Sequence, residues 1–267
     1  MKKHCAVLIA AILLVTVAGC KGNQPKDEVG VEADLSQEAA YRLYTNAIGE
    51  INTIGSFSGN IILKTVMSIM GEPYEYNVTT GVKQIFGNAD KIEAEIVADE
   101  SVNMDSMYYK DGMLFYSGET EKVKFPYPGD AILKMTNSRI VTEVLFPESD
   151  IFGYEATEYP SGTEVLFDLY SKNMEDILRE ITDYSMTGGV EEHDESEVQY
   201  SFDDVLASLR FDKTGNLEKV LLSYVAVFYH FGDAYDTYIE LGVEISQIGG
   251  VSINFPSDLD SYTALEE

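Results

Sequence analysis

Few side chains in this sequence could do covalent chemistry. It holds two cysteines and three histidines beside 46 acidic residues. A thiol acts as a nucleophile only as its thiolate, and Cys20 sits at a marked place. It follows the small residues Ala18 and Gly19 at the end of the apolar run 5–18 and precedes a polar segment beginning at Lys21. A hydrolase would pair a nucleophile with a base. Beyond Cys20 the histidines are His193 and His230, there is no further thiol, and the GSFSG stretch at 55–59 carries Phe57 where a nucleophile would stand. His230, before FGD at a strand end, fits a structural or turn role. Carboxylate pairs for glycoside cleavage are plentiful because acids are plentiful, so they discriminate nothing.

Two acidic stretches invite a cation. Glu191, Glu192, His193, Asp194, Glu195 and Glu197 offer hard oxygen ligands of the kind Ca²⁺ takes, but their spacing matches no EF-type loop and no turn glycine interrupts the run. A solvated loop is expected. Asp212, Gly215 and Asn216 in DKTGN lie between two alternating segments and read as hairpin chemistry. Phosphate loops, dinucleotide fingerprints and Cys/His metal spacings are absent from the sequence. No cofactor, no metal and no catalysis are expected.

Lys2 and Lys3 open a secretory signal whose apolar core is short for a permanent membrane span. Val17-Ala18-Gly19-Cys20 resembles the lipobox of bacterial lipoproteins. The resemblance implies cleavage before Cys20, a thioether-linked diacylglyceryl group on it, and attachment to the extracytoplasmic face of a cell membrane. Two acyl chains anchor stably where one binds reversibly. Cys5 would leave with the signal and Cys20 would be consumed, so the exported domain would hold neither free thiol nor disulfide and would depend on packing. Losing residues 1–19 removes two lysines and no acid, taking the net charge from -28 to -30. Such a surface repels nucleic acid and anionic headgroups.

Residues 20–35 are expected as the lipidated cysteine and a flexible tether, and 36–267 as a single domain. Ser36 is positioned as an N-cap, with Tyr41, Tyr44, Ile48 and Ile51 forming one helical stripe that stops near Gly55. The period then changes to two: Phe57, Ile61, Leu63, Met67 and Ile69; Tyr74, Tyr76, Val78 and Val82; Ile92, Ala94 and Ile96. Asp111-Gly112 between aromatic-rich runs predicts a hairpin. A helical piece follows around Ala131, Ile132 and Met135 and over 140–145, then a strand over 163–170. A second helix is expected, capped by Asn173, with Met174, Ile177, Leu178, Ile181 and Tyr184 as its stripe. Val205, Ala207, Leu209 and Phe211 predict a further strand, with Leu217, Leu221, Val225 and Val227 returning from it. Tyr235, Ile239, Leu241, Val243 and Ile245 follow. Met67, Met70, Met104, Met107 and Met113 supply polarizable filling in or beside the early strands.

The expected fold is therefore mainly β within α+β: a curved antiparallel sheet of about eight to eleven strands, a half-barrel, wrapped over an N-terminal and a midway helix. The helix-then-meander order, SFSGNIILKT, NMEDILREITDY and INFPSDLDSY resemble the LolA-like superfamily, nearest its lipid-anchored LppX-type and Gram-positive lipoprotein members. The resemblance implies a lipid or other hydrophobic ligand held between sheet and helices. Tyr44, Ile48, Ile51, Phe57, Ile61, Leu63, Met67, Tyr76, Val225 and Val227 are expected to line that space. The alternative is an envelope interaction or sensor module binding a protein or polymer.

Overall fold

The computed structural model describes residues 29–69, 72–86, 91–98, 106–118, 121–187, 199–230 and 233–265. The signal segment, Cys20, most of the tether, Met70, Met104 and the acidic run around His193 lie outside them.

Helix α1 (Gln37–Ile54) begins and ends where local chemistry dictates. The Ser36 Oγ accepts a hydrogen bond from Ala39 N at 3.3 Å, and Gly55, at φ 75°, closes the last turn through its N–H to Ile51 O. Ala40, Tyr44, Ala47, Ile48 and Ile51 form its buried stripe.

The strands are β1 (Val31–Glu32), β2 (Ser56–Ile69), β3 (Glu72–Phe86), β4 (Ile92–Ala98), β5 (Met107–Lys110), β6 (Met113–Ser117), β7 (Lys122–Pro126), β8 (Ile151–Tyr159), β9 (Gly162–Leu169), β10 (Gln199–Asp212), β11 (Leu217–His230), β12 (Asp233–Ile248) and β13 (Thr263–Ala264). They form one sheet in the order β1-β8-β9-β10-β11-β12-β2-β3-β4-β5-β6-β7-β13, open and curved, with its two ends unpaired to each other. All neighbours run antiparallel except β13, which lies parallel to β7. Each edge is thus capped by a two-residue strand, which blunts a row of unpaired backbone groups that would otherwise template association. Among the described residues the further α-helices are two short ones, α2 (Gly129–Met135) and α3 (Arg139–Thr142), and a long one, α4 (Ser171–Thr187).

Asp111 and Gly112, at φ 51° and 77°, make the tight turn between β5 and β6. Asp212 organises the β10–β11 turn: its Oδ1 accepts from Thr214 N, Thr214 Oγ1 and Asn216 N, and its Oδ2 from Asn216 Nδ2.

Four expectations need correction. Residues 31–35, assigned to the tether, run along the β8 edge, with Ala33 N donating to Ala156 O and Tyr154 Oη donating to Leu35 O. Asn173 does not cap the midway helix; α4 starts at Ser171 and the Asn173 side-chain amide donates to Asp150 Oδ1 at 2.8 Å. Strands β7 and β8 extend the sheet beyond the expected strands; β8 carries Gly153 and alternates poorly at the sheet margin, which hides it from a period-two pattern. Finally, the stripe on β11 changes phase. A register shift at Arg210/Phe211 places Leu217 opposite Phe211 and Lys219 opposite Arg210, so inward positions become Leu217, then Val220, Leu222, Tyr224 and Ala226. One inserted residue moves every following side chain to the other face.

Among the described residues two apolar cores result. The larger joins the α1 stripe, the inner faces of β2 and β8 to β12, Ile140 and Val141 of α3, and Met174 and Leu178 of α4. The smaller sits under α2, where Ile132 packs on Ala94, Ile96, Met107, Tyr109 and Leu114.

Candidate functional site

Six of the expected lining residues meet on the inner face. Tyr44, Ile48 and Ile51 on α1 pack in the same buried cluster as Phe57, Ile61 and Leu63 on β2, and each is at most 7% exposed. Met67 and Tyr76 share that face further along the strands and are half-buried. Val225 and Val227 do not join them. The phase change on β11 leaves both alternating with inward Tyr224 and Ala226, on the outer face.

Helix α4 roofs the inner face. Thr182 and Tyr224, both fully buried, pair Oγ1 to Oη at 2.9 Å, and Thr182 Oγ1 also donates to Leu178 O at 2.7 Å. A threonine has one hydroxyl proton, so the Tyr224 hydroxyl is the donor in the pair. Burial pushes the pKa of Tyr224 upward, which keeps it a donor.

Between α4 and the α2–α3 corner lies a small cleft of about 30 Å³. Leu133, Ile140, Leu145, Ile177 and Ile181 make it apolar. Its rim is charged. Glu180 accepts from Lys134 Nζ at 2.9 Å and from Arg139 at 2.9 Å to both carboxylate oxygens, while Arg139 also holds Glu143. Partial burial would raise the pKa of Glu180, but the two cations outweigh it and the pKa falls. The backbone carbonyl of Glu143 in turn accepts a hydrogen bond from Tyr44 Oη of α1.

Among the described residues, three buried polar atoms on the inner face of the strands have no hydrogen-bond partner: Tyr76 Oη, Thr237 Oγ1 and Gln84 Nε2. Burial pushes the Tyr76 hydroxyl up to about 12. Gln84 is half-satisfied, since its Oε1 accepts from Thr136 Oγ1 at 3.1 Å. Thr182, Glu180 and Thr237 were not singled out from sequence. The available signal was a hydroxyl where the period calls for an aliphatic, as in Thr237-x-Ile239-x-Leu241-x-Val243.

Among the described residues no group of three or more His, Cys, Asp or Glu is arranged to hold a metal ion. Among the same residues no helix is long and apolar enough to cross a membrane.

No family model matches the sequence, and no curated protein matches it. Solved structures similar to the chain include LprF from Mycobacterium bovis, at 12% identity over 84% of this chain and 99% of that one with a TM-score of 0.45. A LolA superfamily protein from Nitrosomonas europaea is similar at 11% identity over 82% and 96%, TM-score 0.25. A DUF1329 family protein from Desulfovibrio piger is similar at 12% identity over 82% and 95%, TM-score 0.28.

Proposed function

We propose that this chain is a surface-anchored lipoprotein that binds a lipid or other hydrophobic ligand without catalysis. In this reading residues 1–19 are removed, Cys20 carries the lipid that fixes the protein to the extracytoplasmic face of the membrane, and the chain from Val31 onward, with β1 on the sheet edge, forms one ligand-binding domain. The observation that carries it is the build of the inner face, apolar from β9 to β2 and roofed by an amphipathic helix. The ion pairs that hold α4 from its other side are each about one-third exposed, and such pairs contribute only about 0–1 kcal/mol each. An apolar ligand enters by lifting α4 away from the apolar sheet face on which its Met174 and Leu178 pack. Met67 and Tyr76 would meet it first, with the Tyr44, Ile48, Ile51, Phe57, Ile61 and Leu63 cluster as the floor behind. Val225 and Val227 are left out of that lining because they face the other way.

A second reading, an envelope module binding a protein or polymer, is favoured by Phe152 and Tyr170. Their rings lie 4.8 Å apart and are 59% and 53% exposed. Titration with the hydrocarbon probe diphenylhexatriene separates the two. Saturable fluorescence enhancement at one probe per chain supports the ligand-binding reading, and no enhancement contradicts it.

A further inference from the structure

We propose that the inner face between β12 and β3 carries a polar subsite for an uncharged, ester-bearing amphiphile, with Thr237 and Tyr76 donating hydrogen bonds to its carbonyl oxygens. This rests on the ligand-binding reading above and names the chemistry of the ligand.

Thr237 is fully buried and its hydroxyl is unpartnered. A buried hydroxyl without a partner destabilises a fold, whereas an apolar isostere in the same place does not. Valine would fit the inward stripe that Ile239, Leu241 and Val243 continue, so the hydroxyl at 237 serves something other than packing. Tyr76 repeats the situation two strands away. Its ring packs against the main core while its hydroxyl oxygen is shut off from water and unpaired.

Register brings the two together. On β2, Thr65 lies opposite both Tyr76 and Ile239, and Met67 lies opposite Thr237. The two hydroxyl-bearing residues therefore flank the Thr65–Met67 segment on one face, with their strands about 10 Å apart. Ala226, Ile239 and Met67 supply apolar surface around them, and α4 is pinned one pleat away through Tyr224.

The charge of the ligand follows from what is missing beside it. Among the described residues the inward positions of β2, β3, β11 and β12 hold no lysine or arginine; Lys64, Lys83 and Lys219 pair with Glu75, Glu95 and Glu244 on the outer face. A carboxylate or phosphate buried there would lack a counter-charge in a protein of net charge -28. Ester carbonyls need only donors.

The test uses Thr237→Val and Tyr76→Phe with two probes, a fluorescently labelled diacylglycerol and diphenylhexatriene. Each variant should bind the diacylglycerol about five- to tenfold more weakly and the hydrocarbon within about twofold of the parent. Lipid-stripped Thr237→Val should also melt higher than the parent, and a labelled fatty acid should bind the parent more weakly than the diacylglycerol does. Unchanged diacylglycerol affinity with normal hydrocarbon binding overturns the subsite alone. A lower melting temperature for Thr237→Val overturns it too, since the hydroxyl would then have a partner in the free protein. Failure of both probes to bind the parent overturns the subsite and the ligand-binding reading together.

Discussion

The hydroxyl of Tyr44 accepts a hydrogen bond from the backbone N–H of Leu145 at 3.0 Å, tying α1 to a segment 101 residues away. Tyr41 repeats the contact one turn earlier by donating to Phe146 O, and the Tyr44 and Phe146 rings stack at 5.1 Å. The corner that frames the small cleft is therefore positioned by two tyrosines of the first helix. Tyr44→Phe keeps the stack and leaves the Leu145 N–H buried without an acceptor. It should cost about 1–3 kcal/mol, seen in urea unfolding as a lower midpoint at unchanged slope.

The hydroxyl pair between Thr182 and Tyr224 makes a sharper prediction. Thr182→Val strands the Tyr224 hydroxyl in the core and should lose about 1–3 kcal/mol, while the double variant Thr182→Val, Tyr224→Phe should recover most of that. A double-mutant cycle measures the coupling. Hydrogen exchange in the single variant should show α4 opening more often than in the parent.

How much of this was legible in the sequence depended on the range of the interactions. The ends of α1 were, since Ser36 and Gly55 act within one turn, and so was the Asp111-Gly112 hairpin. The inward side of β11 was not. Leu217, Leu221, Val225 and Val227 alternate evenly on paper, and only pairing with β10 shows the extra residue that turns the last three outward. Met67 and Tyr76 show their apolar character in the period-two pattern, but the buried hydroxyls at 76 and 237 gain meaning only from a register spanning β12, β2 and β3. Asn173 resembled a cap by type, yet Asp150 claims its side chain in the fold.

The β10–β11 turn should leave an acid-side signature. Partial desolvation raises the Asp212 pKa, but the hydrogen bonds from Thr214 and Asn216 outweigh it and bring the group down to about 2. A folded pKa below the unfolded value means the contribution is complete above the ordinary aspartate pKa of about 3.9 and is lost as the pH falls toward 2. The stability difference between the parent and Asp212→Ala, measured by thermal melts, should therefore shrink over that window and be constant from pH 5 to 7.

The proposed anchor is tested by Cys20→Ala in a bacterial host. The parent should fractionate with membranes and the variant with soluble protein. Equal membrane retention of the variant would refute attachment through Cys20.

The central claim, that the space beneath α4 receives an apolar ligand, is tested most directly by native mass spectrometry of protein truncated to begin at Lys21 and purified from bacteria, with extraction and analysis of whatever accompanies it. The account predicts an added lipid mass at near one per chain, retained under gentle activation and reduced in Thr237→Val. A bare protein mass that stays bare after incubation with diacylglycerol would contradict it.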